Sequence, residues 1–227
     1  MKLLAIDTST EACSSALLVS DEIIERYEVA PRMHAELILP MVDSLMREAG
    51  LAFSQLDALA FGRGPGSFTG LRIAAGVTQG IAFGADLPVV PVSSLAALAQ
   101  RAYAELGIDK VMSGFDARMQ EVYWSMYRPD ANGLVRIVGE EVVCKPDQVP
   151  LPDDSGWSGI GSAWRVYGDE LQQRLQYRVD NWYGDHYPHA QDIAALGKDL
   201  YRQDKAVSAE HAVPVYLRDK VVSVKQG

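Results

Sequence analysis

Residues 62–76 constrain the fold of this chain more than any other segment. They place four glycines and a proline within nine positions, and a short apolar run at 58–61 precedes them. Because each glycine permits backbone angles closed to other residues, this composition predicts a tightly specified loop between a strand and a helix. Such a junction either cradles a phosphate at the helix N-terminus or lets two backbone segments pack closely.

The loop matches neither of two phosphate-binding patterns. Gly64 and Gly66 begin a Gly-x-Gly-x-x-Gly motif, but Thr69 stands where the third glycine belongs. No Gly-Lys-Ser/Thr sequence begins the helix, so the lysine of a P-loop is absent. Ser67 and Thr69 are candidates to cap the helix or to contact a ligand, and capping is the commoner role.

Net charge and cysteine content restrict the class of function. The 227 residues carry a formal net charge of −9, which opposes a stand-alone nucleic-acid binder, although a basic partner can hold the nucleic acid. Cys13 and Cys144 lie far apart in apolar runs, as expected for free thiols in a reducing compartment. The N-terminal apolar run is too short for a signal peptide, and no segment approaches the roughly 20 apolar residues of a membrane span. We therefore expect a cytoplasmic protein.

Two neighbouring helices are predicted to carry more apolar surface than one sheet needs. Helix 35–49 spreads apolar residues over about half of its circumference and ends at Gly50. Helix 70–84 has one charged residue, and three of its glycines recur at four-residue spacing on one face. Such a line of glycines predicts that another backbone packs closely on this face, either from the chain's own sheet or from a partner. The sharper hypothesis is a helix-pair interface with a partner, formed by Leu37, Met41, Leu45, Met46, Leu71, Ala74, Gly76, Thr78 and Gly80.

The order strand, Asp turn, strand, turn, strand occurs twice, at residues 3–29 and again at 110–143. This repeat predicts an α/β protein of two related lobes, 1–105 and 106–227, of which the second is the thinner. The first meander resembles that of actin- and hexokinase-like ATPases, where the turn faces phosphate, although a hydrogen-bonded turn is the commoner explanation of its sequence. A cleft between the lobes would be lined by Asp7, Thr8, Ser9, Gly64, Gly66, Ser67 and Asp116.

No catalytic set assembles from the sequence. His34 begins a helix, but the residue four positions later is Ile38 rather than a second histidine. No Gly-x-Ser-x-Gly elbow occurs, and neither cysteine lies at a recognised spacing from a histidine. The sequence therefore predicts no catalytic residue and no metal site.

Five short motifs occur in order along nearly the whole chain. They are Ile-Asp-Thr-Ser at 6–9, His-Ala-Glu at 34–36, Gly-Pro-Gly-Ser-Phe-Thr-Gly-Leu-Arg at 64–72, Asp-Ala-Arg at 116–118 with Glu-Val-Tyr at 121–123, and Pro-Val-Tyr-Leu-Arg at 214–218. Together they resemble the bacterial TsaB (YeaZ) family.

The resemblance implies a two-lobed fold of the acetate-kinase, Hsp70 and actin type. It implies a part in making threonylcarbamoyladenosine at position 37 of tRNAs that read codons starting with A. Family members are non-catalytic paralogues of the transferase TsaD, which carries a metal site and an ATP cleft. They bind TsaD, and the ATPase TsaE joins the complex. No intrinsic cofactor is implied, and ATP and metal are expected on the partner subunits.

The family also forms homodimers through helices of the first lobe and uses the same surface for TsaD. Contact with tRNA is then expected only through the partners. Two alternatives stay open at this point: an ATPase or transferase with its own nucleotide between the lobes, or a metallopeptidase, because the family was once grouped with glycopeptidases.

Overall fold

Two five-stranded sheets with the same strand order carry the fold in the computed structural model, which describes residues 1–218. The first sheet has the order β3-β2-β1-β4-β5 and consists of β1 (Lys2–Asp7), β2 (Ala12–Val19), β3 (Glu22–Val29), β4 (Ala58–Gly64) and β5 (Val89–Ser93). The second has the order β8-β7-β6-β9-β10 and consists of β6 (Val111–Asp116), β7 (Val122–Pro129), β8 (Val135–Cys144), β9 (Trp157–Ile160) and β10 (Val179–Tyr183).

The pairing of the strands repeats between the sheets. β1 pairs antiparallel with β2 and parallel with β4, and β6 pairs antiparallel with β7 and parallel with β9. The strands β1 and β4 are buried on both faces, which explains why their sequences are continuous apolar runs rather than alternating ones. The predicted repeat of the meander is thereby confirmed.

Five helices complete five layers. α1 (His34–Ala49) and α2 (Phe68–Ala85) cover the outer face of the first sheet, and α4 (Ser162–Leu175) covers the outer face of the second. α3 (Ser94–Leu106) and α5 (Ala190–Arg202) lie between the two sheets and form the largest apolar core with both inner faces. No helix within residues 1–218 has the length and apolar character needed to cross a membrane.

The middle layer exchanges helices between the lobes. α3 follows the first sheet in sequence but packs mainly on the second, whereas α5 follows the second sheet and packs on the first. Two strands of the first sheet cap the N-terminus of α5: the Ser14 hydroxyl accepts from Ala190 N–H at 2.9 Å, and Glu25 Oε1 accepts from Gln191 N–H at 3.0 Å. A boundary between residues 105 and 106 therefore separates the strands of the two sheets. It does not separate the packing, because each of the two middle helices packs on the sheet of the other lobe. The last residues of a 106–227 unit, 219–227, lie outside the described residues.

The second lobe is thinner by one helix rather than by strands. A loop with a short 3-10 helix, Pro146–Gln148, stands where α1 stands in the first lobe. The strands β9 and β10 are not predicted by the sequence, and both exist.

Candidate partner surface and interlobe cleft

The glycine loop packs directly on the turn that follows β1. A β-carbon on Gly70 would stand 1.9 Å from the carbonyl oxygen of Thr8, and one on Gly66 would stand 2.3 Å from that of Ser9. Ser67 N–H donates to the Ser9 carbonyl at 2.7 Å, and Thr8 Oγ1 donates to the Gly70 carbonyl at 2.7 Å. Polar groups of the loop and of the turn thus bond to each other, and the glycines make this approach sterically allowed.

Asp7 is sealed beneath this contact. Its side chain is fully buried, and Oδ1 accepts from the amide of Ser9 at 3.0 Å and from its hydroxyl at 2.9 Å. Oδ2 has no hydrogen-bond partner within residues 1–218 and lies so close to Gly62 that a β-carbon there would be 1.9 Å away. Burial raises the pKa of the Asp7 carboxyl to about 6, against the lowering effect of the Ser9 hydrogen bonds.

Asp116 belongs to the equivalent turn after β6. Its side chain lies at the cleft, where Arg118 binds it. Arg118 donates to this carboxylate twice, from its backbone N–H at 2.8 Å and from Nη1 at 2.9 Å. The hydroxyl of Tyr167 lies 3.4 Å from Asp116 Oδ1, and the hydroxyl of Ser162 accepts from the Asp116 amide at 3.1 Å. The carboxylate is therefore paired with the chain's own arginine, whose side chain is exposed.

The cleft between the lobes has a volume of about 630 Å³. Of the seven residues predicted to line it, Ser9, Gly66, Ser67 and Asp116 do so. Asp7, Thr8 and Gly64 do not, and the prediction is corrected for them. Asp7 and Thr8 are buried under the glycine loop, and Gly64 packs between Leu71 and the Val215 carbonyl.

His34 forms a hydrogen bond within the fold. Its Nε2 lies 2.8 Å from the carbonyl oxygen of Thr10, and its ring is nearly fully buried. Ile38, one helical turn later, is part of the apolar core. Within residues 1–218, no group of three His, Cys, Asp or Glu side chains is placed to hold a metal ion.

The predicted partner interface divides into a buried part and an exposed part. Leu37 and Met41 are half-buried, and Gly76 and Gly80 are exposed. The other five residues lie in the chain's own core, so the monomer does not present them to a partner: Leu45, Met46, Leu71, Ala74 and Thr78. The wide apolar stripe of α1 has an internal explanation, because this helix packs on the first sheet and also on α2.

The glycine line of α2 points away from the fold. A β-carbon on Gly76, Gly80 or Gly84 would meet nothing within 4 Å, so the alternative that these glycines pack on the chain's own sheet is wrong. Phe83, three residues after Gly80, is 80% exposed on the same helical face. We call Gly76, Gly80, Phe83 and Gly84 the glycine face. Phe83 is missed by the sequence interpretation, although its spacing from Gly80 places it there.

The motif at 214–218 folds back over the glycine loop, a contact that the sequence does not reveal. Val215 N–H donates to the Arg63 carbonyl at 2.8 Å. Arg72 Nε lies 3.3 Å from the hydroxyl of Tyr216, and its guanidinium stacks 3.6 Å above the ring of Phe68. The motifs at 64–72 and 214–218, distant in sequence, thus form one structural unit.

The repeated sheets, the five layers and the exchanged middle helices define the chain as a two-lobed α/β protein of the actin, Hsp70 and acetate-kinase type. A family model described as TsaD, tRNA N6-adenosine threonylcarbamoyltransferase, matches residues 18–226.

Relatives match over nearly the full length. The Escherichia coli K12 protein named tRNA threonylcarbamoyladenosine biosynthesis protein TsaB is 41% identical, covering 97% of this chain and 96% of the relative. The Haemophilus influenzae protein of the same name is 42% identical, covering 97% and 95%. A Pseudomonas aeruginosa structure, described as an uncharacterized protein with similarity to peptidase YEAZ, superposes with a TM-score of 0.89 at 48% identity, covering 96% and 99%. The chain belongs to the TsaB (YeaZ) family.

Proposed function

We propose that this protein acts in the biosynthesis of threonylcarbamoyladenosine in tRNA, at position 37 of tRNAs that read codons starting with A. Its role there is that of a non-catalytic subunit that binds and activates the transferase TsaD. The names of its relatives support the pathway, and the exposed glycine face of α2 is the observation that supports the binding role.

The glycine face is costly to a monomer. Each glycine inside a helix destabilises it by about 1 kcal/mol relative to alanine. None of Gly76, Gly80 and Gly84 has a neighbour that would exclude a β-carbon, so packing inside the chain does not account for them. A partner helix laid along this line can approach the α2 backbone closely and cover Phe83. This explains the glycines through assembly rather than through folding.

The interior of the cleft supports a non-catalytic role. Asp7 is buried and hydrogen-bonded to Ser9, and Asp116 is paired with Arg118. A carboxylate that binds a magnesium–nucleotide complex must reach the ligand; Asp7 is buried away from the cleft, and Asp116 would first have to release Arg118. We therefore place the ATP and the metal on TsaD and TsaE, with TsaE joining through the complex. An acidic chain also fits a subunit whose partners hold the tRNA.

Capture of this protein by immobilised TsaD tests the proposal. The variant Gly80→Trp fills the glycine face, and we expect it to fold, because Gly80 is exposed and nothing lies within 4 Å of the added β-carbon. We expect at least a tenfold loss of TsaD binding and a matching loss in a reconstituted tRNA-modification assay. The matched control is Gln172→Trp, at an exposed position of α4, which should bind as the wild type does.

The same variant tests self-association. If the glycine face also joins two copies of this chain in the absence of TsaD, Gly80→Trp should elute as a monomer where the wild type elutes as a dimer. Undiminished TsaD capture by Gly80→Trp would overturn the binding role, whatever the homodimer does.

A further inference from the structure

We propose that the rim of the interlobe cleft is a second protein-binding surface, which takes an acidic, apolar segment of a partner polypeptide. The rim consists of Arg32, Phe68, Arg118, Met119, Val166 and Tyr216, all exposed and all lining the cleft. It lies apart from Gly80 and Phe83 of the glycine face, and the proposal does not depend on TsaD binding.

The apolar half of the rim is unusually exposed. Phe68 is 44%, Met119 67%, Val166 49% and Tyr216 42% accessible, although they surround one opening. They come from four separate segments of both lobes: the start of α2, the β6–β7 turn, α4 and the C-terminal segment. Large apolar side chains clustered in this way mark interaction sites, and Met, aromatic residues and Arg are the residue types that protein interfaces favour.

One arginine at the rim of the cleft is free to meet a charge on a partner. The lining of the cleft contains four arginines and two carboxylates, but Arg118, Arg165 and Arg218 are each paired with a carboxylate. Arg32 makes no ion pair within residues 1–218, so its charge is available to a partner. Electrostatic complementarity therefore favours an acidic residue of the partner segment opposite Arg32.

The backbone holds the rim at a cost in conformational energy. Arg118, Met119 and Gln120 have consecutive φ angles of 61°, 56° and 61°, although none of them is glycine. A left-handed conformation costs such a residue about 1–2 kcal/mol. The turn thereby presents Met119 outward, and outliers of this kind cluster at binding sites.

The contacts favour a polypeptide over a nucleic acid. One face of the Phe68 ring is stacked by the Arg72 guanidinium at 3.6 Å, and Tyr216 packs against the ring at 5.5 Å, so that face is not open to a base. Arg118, Arg165 and Arg218 are each paired with a carboxylate, so they are poor phosphate ligands. Val166 and Met119 suit apolar side chains instead.

The test uses random 12-residue peptides displayed on phage and selected on the full-length protein, with the enriched sequences then made as fluorescein-labelled peptides. We expect enrichment of Asp or Glu beside Leu, Phe or Met. By fluorescence anisotropy, Met119→Asp and Arg32→Glu should each weaken binding at least tenfold. Tyr177→Asp and Arg202→Glu place an acidic residue at exposed sites away from the rim and should have no effect.

Three results would overturn the proposal. The first is enrichment of peptides without acidic residues, and the second is equal binding by the rim variants and the controls. The third is rim-dependent binding of labelled oligo-dT in place of the peptides. Unchanged thermal unfolding of each variant guards against loss of fold. TsaD capture by Met119→Asp should equal that of the wild type, and its loss would show that the rim is part of the TsaD contact rather than a second surface.

Discussion

The carbonyl oxygen of Thr8 lies 1.9 Å from the position that a β-carbon would take on Gly70. The same two residues are joined by a hydrogen bond of 2.7 Å from Thr8 Oγ1 to the Gly70 carbonyl. The first turn of α2 is thus fixed to the end of β1. Of the two explanations for the glycine loop, a phosphate cradle or close packing of two backbone segments, this contact supports the second for the glycines nearest the β1 turn.

Two glycine-to-alanine changes in one helix should have opposite effects. Gly70→Ala places a methyl group against the rigid Thr8 backbone, and overpacking of this kind costs about 1–3 kcal/mol of unfolding free energy. Gly76→Ala has open space and should stabilise the helix by about 0.5–1 kcal/mol. Urea unfolding of both variants measures the difference, and equal effects would contradict this account of the loop.

Asp7 should make stability depend on pH in the opposite direction to an ordinary paired carboxylate. Its pKa is raised from 3.8 to about 6, so the folded state binds more protons than the unfolded state between these values. The contribution to unfolding free energy is complete below about pH 4 and is lost as the pH rises through 6, about 3 kcal/mol in all. Asp7→Asn should flatten this slope in urea titrations from pH 4 to 7.5.

Asp192 provides the control for that measurement. Burial raises the pKa of this carboxyl to about 7, opposed by the nearby Arg101 guanidinium. Its contribution should persist in Asp7→Asn and disappear only in the double variant with Asp192→Asn. A wild-type slope that is unchanged in Asp7→Asn would show that Asp7 is not the group responsible.

The two lobes are linked by an ion pair between Arg63 of β4 and Glu141 of β8, at 3.0 Å. Tyr127 also donates to Glu141, at 3.2 Å, and the Glu141 side chain is only 10% exposed. Arg63→Met leaves this carboxylate buried without its cation, which should cost about 2–4 kcal/mol. The double variant with Glu141→Gln should recover part of the loss, and a double-mutant cycle in urea checks it.

The isolated protein should not bind magnesium–ATP. Asp7 and Thr8 are buried, and Asp116 is paired with Arg118, so neither of the two turns presents a free carboxylate to such a ligand. Titration calorimetry to about 1 mM nucleotide should give only heats of dilution. A saturable heat that is lost in Ser67→Trp, a change at the cleft lining, would favour the alternative of an ATPase acting in its own right.

Repetition and periodicity predict much of this fold from the sequence. The two meanders, the helix ends at Gly50 and Gly107, and the loop at 62–70 all follow from local rules that the structure obeys. The strands β9 and β10 do not follow from such rules. The first has four residues and includes Gly159, and the second carries Asp180 and Asn181 at an exposed sheet edge. Their pairing with β6 and with each other supplies what their sequences lack.

The site is harder to predict, because the spacing of residues along a helix does not tell which face of the helix packs on the rest of the chain. Gly70 and Gly76 belong to the same glycine-rich helix, yet one faces the Thr8 carbonyl and the other faces open space. Leu45 and Met46 have the residue types of an interface and lie in the core. Only the packing of α1 on α2 and the first sheet decides which apolar side chains remain free.

The exchange of α3 and α5 between the sheets has a consequence for synthesis on the ribosome. The inner face of the first sheet is complete in sequence by Ser93, but the helix that covers it ends only at Arg202. At typical elongation rates of about 5–20 residues per second, α5 is completed roughly 5–20 seconds after the strands whose inner face it covers. During that interval we expect the nascent chain to expose the apolar side chains of β1, β2 and β4, the kind of surface that chaperones bind.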